Sequence, residues 1–181
     1  MATKRLFIGT YADQKLFEII YPEIKEDFEP AVRGKWVEPE NLHFTLKFLG
    51  DVEESRVEEL RESISDLTVR FDSPLFLKGM TAFPNLKRPR VLVVPVFNPD
   101  RELFRAHAEL EKRLVEFGFP PEKRKFKPHM TLCRIKSIYG DMFPDIAYKY
   151  KDFEFGMMPE FSISLIESRL SRSGPTYTIL Q

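Results

Sequence analysis

The sequence predicts a mixed α and β domain built from two similar halves. Three observations predict it. Short apolar runs with strand periodicity alternate with amphipathic helical stretches along the 181 residues. The string His-x-Thr-Leu occurs at His43 and again at His129, each time on a predicted strand. No low-complexity segment or composition shift marks a linker, so residues 1–181 read as one domain, long enough to bury most of its apolar surface without staples.

In chain order, RLFIGTY at 5–11 is a β-like run. From Asp13 to Phe28, Leu16, Ile19, Ile20 and Ile24 recur at helical spacing, so a helix follows the first strand. KWV at 35–37 and LHFTLKFLG at 42–50 are predicted strands, broken by Pro39 and closed by Gly50-Asp51. In the second, period-two alternation sends Leu42, Phe44, Leu46 and Phe48 to a core face and His43, Thr45 and Lys47 to a polar one. Between Glu53 and Val69, Val57, Leu60, Ile64 and Leu67 recur among charges as in an amphipathic surface helix. PLFLKGMTAFP at 74–84 and RVLVVPVF at 90–97 read as strands joined by the basic turn NLKRP. Asn98 or Asp100 can cap a helix whose stripe is Leu103, Ala106, Leu110, Leu114 and Phe117, with Gly118 as its stop. The loop PPEKRKFKP leads into a strand, HMTLCRI at 129–135, and residues 137–152 read as loop with a short helix. EFSISLIESRL at 160–170 and TYTIL at 176–180 are predicted strands around the turn SRSGP.

Composition narrows the function classes. With 43% hydrophobic and 31% charged residues the chain sorts with globular proteins, and seventeen Phe predict an aromatic core. VLVVPVF is far too short to span a bilayer and MATKRLFIG lacks a signal-peptide pattern, so an intracellular, cytoplasmic protein without a membrane partner is expected. The single Cys133 excludes an internal disulfide and fits a reducing compartment. Twenty-eight basic residues balance twenty-eight acidic ones, so polyanion binding has to come from a local patch.

NLHFTLKF and KPHMTLCR place His, an apolar residue, Thr and Leu in the same order 86 positions apart, a match that chance does not readily supply. One His-x-Thr on a half-buried strand is ordinarily a structural pair. Two of them on facing halves bring two imidazoles and two hydroxyls together, because parity keeps each His with its Thr. Imidazole exchanges its proton near neutral pH, so a neutral and a protonated ring can act as base and acid. Hydroxyls held in place stabilise charge developing on phosphate oxygens. The set suits an in-line displacement at phosphorus and calls for no metal or other cofactor. A metal site would have only Cys133 as a convenient extra ligand, and a Cys-His nucleophile fails because Cys133 lies four residues along its own strand from His129. His107, in the polar helix FRAHAELEK, reads as a surface residue. Phe7 and Tyr11 share a strand face and offer base-stacking surface, with core packing favoured for Phe7.

On RLFIG at 5–9, KWVEPENLHFTLKFLGDV at 35–52, TAFPNLKRPRVLVVPV at 81–96, KPHMTLCRIK at 127–136 and LIESRLSRSGPTYTIL at 165–180, the chain resembles the RNA 2′,3′-cyclic phosphodiesterases, also called 2′-5′ RNA ligases, of the 2H phosphoesterase superfamily. The resemblance implies a bilobal α+β fold with two pseudo-symmetric lobes, in which two antiparallel sheets form a central cleft and helices lie outside. It implies hydrolysis of a terminal 2′,3′-cyclic phosphate to a 2′-phosphate, with 2′-5′ ligation as the reverse-type reaction, on RNA ends or cyclic nucleotides. In that scheme His43 is the proton donor, His129 the proton acceptor, and Thr45 and Thr131 bind phosphate oxygens. Arg134 matches a phosphate-binding position, although strand parity turns it away from His129. Lys125, Phe126 and Lys127 in EKRKFK and Arg90 in NLKRPR are candidate RNA contacts, the cations for backbone phosphates and the ring for a base. The protein is expected to act as a monomer. An RNA-binding or scaffold protein that keeps the cleft without turnover is the alternative, and both intact motifs argue against it.

Overall fold

The computed structural model describes residues 2–172 and 174–181; Ser173, within the SRSGP turn, lies outside the described residues. The strands are β1 (Thr3–Tyr11), β2 (Val32–Trp36), β3 (His43–Glu53), β4 (Arg70–Phe71), β5 (Leu75–Lys78), β6 (Thr81–Phe83), β7 (Val91–Phe97), β8 (His129–Ile138), β9 (Glu154–Met158), β10 (Phe161–Ser162), β11 (Ser164–Ser171) and β12 (Gly174–Ile179). The helices are α1 (Ile20–Phe28), α2 (Glu54–Ser63), α3 (Glu102–Glu116) and α4 (Phe143–Lys149).

Strands β12-β11-β1-β3 form one antiparallel lobe, and β8-β7-β5-β9, with β2 on β8 and β6 on β7, form the other. The two meet through one pair, Phe44 opposite Met130. A single buried cluster runs behind both lobes, from Leu6, Ile8 and Phe44 to Leu92, Met130 and Leu132. The helices cover that side. Lys149 and Tyr150 bind Asp27 to tie α4 to α1, and Arg113 on α3 pairs with Asp66 beyond α2. The architecture is the expected α+β one with helices outside, but the two expected sheets are joined at β3 and β8 into one ten-stranded antiparallel sheet, and β4 pairs with β10 apart from it.

Local differences have local causes. The first helix starts at Ile20, after a 3-10 turn (Gln14–Leu16) in which the Asp13 carboxylate caps the Lys15 N–H, and Ile19 is left exposed outside the stripe. The helix after β3 stops at Ser63 because the Ser65 and Thr68 hydroxyls donate to the Glu62 and Ile64 carbonyls, closing the chain into turns. The strand predicted over 74–84 is two strands split at Gly79, which takes φ +75° and lies so close to Lys151 that a Cβ would sit 2.5 Å from its carbonyl oxygen. The short helix expected within 137–152 is α4, and β9 follows it in a stretch the sequence left unassigned.

Candidate active site

Phe44 and Met130 are buried, so their strand neighbours His43, Thr45, His129 and Thr131 project from the opposite face, where each is partly exposed. Continued one residue each way, the Phe44–Met130 register sets His43 against Thr131 and Thr45 against His129. The two histidines therefore flank that one pair diagonally, one from each lobe.

Both motif strands carry a β-bulge at the same offset. In β3, Thr45 and Lys47 face Gly9 and Ile8, so Leu46 is the extra residue; in β8, Thr131 and Cys133 face Val93 and Leu92, so Leu132 is. A bulge reverses parity beyond it. Lys47 is therefore buried and Phe48 is 67% exposed, opposite to the simple alternation read from sequence. The same device returns Arg134 to the face of the two histidines, where its charge acts on both His43 and His129. Strand parity fails for Arg134 because it assumes an unbroken ladder. The duplication extends into the helices. Tyr21 on α1 donates to the Val37 carbonyl and reaches the Leu132 carbonyl at 3.1 Å, which also accepts the Val37 N–H, and His107 on α3 meets the Leu46 carbonyl, so each half's helix reaches the bulge of the other half. His107 is thus not a surface residue: its ring also stacks face to face on Phe126 at 3.8 Å.

Each motif imidazole is oriented by the backbone two residues before it. His43 Nδ1 donates to the Asn41 carbonyl at 2.6 Å and His129 Nδ1 to the Lys127 carbonyl at 2.7 Å. A carbonyl only accepts, so both rings carry a proton on Nδ1 and Nε2 is left for chemistry. Burial is the main force lowering both imidazole pKa values; the carbonyl contacts oppose it and the Arg134 guanidinium adds to it. Aromatic rings wall the site. Phe7 and Tyr177 lie 5.0 and 5.1 Å from the His43 ring, Tyr11 6.3 Å, and Phe83 meets His129 edge-on at 4.8 Å. Tyr177 and Phe83 carried no sequence signal, because only the pairing of β11 with β12 and of β6 with β7 brings them to the histidines.

The remaining sequence candidates fall in different places. Arg90 is exposed at the start of β7, beside the position that pairs with Arg134. Lys125 and Lys127 are exposed on the loop entering β8. Phe126 is corrected: its ring is held by His107 and Phe104 and packs against the core, which removes it as an open base-stacking surface. Cys133 is buried, burial raises its thiol to about 12, and its Sγ lies where a Cβ on Gly34 would go, so it packs rather than reacts. Among the described residues, no group of three or more His, Cys, Asp or Glu side chains is placed to hold a metal ion. No helix of the described residues is long and apolar enough to cross a membrane.

The comparisons agree with this geometry. The chain is 34% identical over 183 residues to an RNA 2′,3′-cyclic phosphodiesterase of Aquifex aeolicus, covering 100% of this chain and 97% of that protein. It is 40% identical over 152 residues to one of Aeropyrum pernix, covering 83% and 85%. Among solved structures, a Thermus thermophilus protein superimposes with TM-score 0.76 at 25% identity over 98% of this chain and 95% of its own. Escherichia coli LigT complexed with 3′-AMP superimposes with TM-score 0.77 at 24% identity, over 99% and 97%, and shares the fold. The model of the LigT like Phosphoesterase family matches twice, over residues 22–93 and 94–177, so that each match carries one His-x-Thr motif. The chain belongs to the LigT-like phosphoesterase family.

Proposed function

We propose that this protein hydrolyses the 2′,3′-cyclic phosphate at the 3′ end of RNA, and of cyclic nucleotides, to a 2′-phosphate; its relatives are named RNA 2′,3′-cyclic phosphodiesterases. The observation that carries the reading is the matched pair of imidazoles, one per lobe, each with Nδ1 fixed and Nε2 available on a shared face with two threonines. In the proposed step a water attacks phosphorus while His129 Nε2 takes its proton. The P–O3′ bond breaks and His43 Nε2 delivers a proton to O3′, leaving a 3′-hydroxyl and a 2′-phosphate. Thr45 and Thr131 donate to the non-bridging oxygens, and Arg134 balances the negative charge that builds there. The cycle closes when His129 loses and His43 regains a proton. With a 5′-hydroxyl in place of water the same groups make a 2′-5′ linkage. We place this work in a single copy of the chain in the cytoplasm, with the two lobes as one catalytic domain.

The test is phosphorus NMR of a 2′,3′-cyclic nucleotide incubated with the protein in excess chelator. The nucleoside 2′-phosphate is the expected product, and a 3′-phosphate or an unchanged substrate would overturn the reading.

The pH dependence follows from the lowered imidazoles. The competent form has one ring protonated and one neutral, and with both titrating below the usual 6.5 that form is most populated on the acidic side. The bell of kcat/KM is expected to centre below pH 6.5, and the bell of kcat higher, because a bound phosphate anion stabilises each imidazolium. Coincident profiles centred above neutrality would contradict this. Arg134→Ala removes a charge that lowers both rings, so it is expected to move the kcat/KM bell upward and reduce its height by about 10²-fold. Steady-state kinetics across pH check both changes.

A further inference from the structure

We propose that Phe76, Phe97 and Met157 form a platform on which bases preceding the cyclic phosphate of a single-stranded RNA stack. This rests on the phosphodiesterase reading and says where the rest of that substrate lies. Phe97 pairs with Phe76 across β7 and β5, and Phe76 with Met157 across β5 and β9, so the three side chains make one row on one face. That face is the catalytic one. Val94 and Val96 of β7 point into the core, whereas Pro95, opposite His129, and Phe97 point the other way. The row therefore begins two residues along β7 from the point facing His129, about 7 Å, and each further strand adds about 5 Å.

The row is uncovered. Phe97, Phe76 and Met157 are 52%, 42% and 46% exposed, although a sheet face this apolar is usually paired or buried. Two arguments favour RNA as its occupant. The row is continuous with the strand pair bearing His129, so a substrate longer than one nucleotide can extend onto it from the histidines. It also has a cation on its near side: the Val96 N–H donates to the Pro128 carbonyl at 3.0 Å, which carries the β7–β8 ladder past His129 and sets exposed Lys127 beside Phe97. Lys78, which the β5–β7 register carries toward Pro95, is neutralised by Glu154 at 3.0 Å, so Lys127 is the cation left beside the row to meet the backbone phosphate. Rings for bases beside a lysine for phosphate are what an unpaired RNA end requires, and stacking of this kind tolerates any sequence.

The test compares a 2′,3′-cyclic mononucleotide with a short oligoribonucleotide carrying the same terminus. Phe76→Ala and Phe97→Ala are each expected to raise KM for the oligonucleotide about tenfold, to leave kcat and KM for the mononucleotide unchanged, and to be rescued by Tyr at the same position. Equal effects on both substrates, or none on either, would overturn the platform. So would a wild-type dimer that the alanine variants dissociate without changing oligonucleotide KM, because the row would then be a contact between copies. Binding of a labelled oligonucleotide is followed by anisotropy independently of turnover. Ring-dependent binding without hydrolysis would support the platform and overturn the proposed reaction, whereas ring-independent binding with hydrolysis would do the reverse.

Discussion

Replacing His43 or His129 by alanine is expected to lower kcat on a ribonucleoside 2′,3′-cyclic phosphate by about 10²–10⁴-fold, the usual contribution of a positioned acid or base. The double variant is expected to be little slower than the worse single one, because an acid and a base in one displacement act as a unit. KM should change less than kcat, since Thr45, Thr131 and Arg134 still hold the phosphate. Each ring is bonded to the backbone only through Nδ1, to Asn41 or Lys127, and otherwise touches aromatic neighbours, so its removal leaves the fold in place. The pH profile separates the two roles. Without the base the acid-side limb should flatten, and without the acid the alkaline one. A single variant with wild-type kcat would remove that residue from the mechanism.

Lys47→Ala is expected to cost about 3–5 kcal/mol of stability, the penalty for leaving one partner of a buried ion pair uncompensated. Lys47 is 5% exposed, and its Nζ lies 2.9 and 3.1 Å from the two carboxylate oxygens of Glu111 and 2.8 Å from the Pro120 carbonyl. Glu111 in turn accepts the Glu122 N–H at 2.9 Å. The pair thus fastens α3 and the loop that enters β8 onto the strand bearing His43. Urea unfolding measures the loss. A second variant, Lys47→Met with Glu111→Leu, removes both charges and is expected to recover most of it, because an apolar pair of similar volume avoids desolvating the ions. If Lys47→Ala were as stable as wild type, the pair would be ornamental to the fold.

Much of this was legible in the sequence because it depends on local pattern. The order of strands and helices follows from hydrophobic period, and the candidate His-Thr pairs follow from a motif that repeats and from parity across the one residue between His and Thr. Parity fails just beyond Thr. Leu46 and Leu132 look like ordinary core leucines, and nothing in either strand announces the bulge that buries Lys47, exposes Phe48 and returns Arg134 to the histidines. A bulge belongs to a pair of strands, and its partners Ile8-Gly9 and Leu92-Val93 lie far off in the chain. His107 was misread for the same reason. Its polar helix suggests solvent, but the carbonyl it satisfies is created by the bulge in β3. Tyr21 lies 86 residues before His107, the spacing that separates the two motif histidines, so the repeat itself is the signal that finds both. Phe126 looked like an open ring on a basic loop until the tertiary fold placed His107 against it.

Whether imidazoles from two lobes act on one phosphate is decided by a crystal structure with a nucleoside 2′-phosphate bound between them. Both Nε2 atoms are expected within hydrogen-bond reach of the nucleotide, about 2.6–3.2 Å, with His43 at O3′, His129 at a phosphate oxygen where water enters, and both threonine hydroxyls on the remaining oxygens. A nucleotide bound with only one imidazole at the phosphate, or with both beyond reach of it, would contradict the two-lobe mechanism.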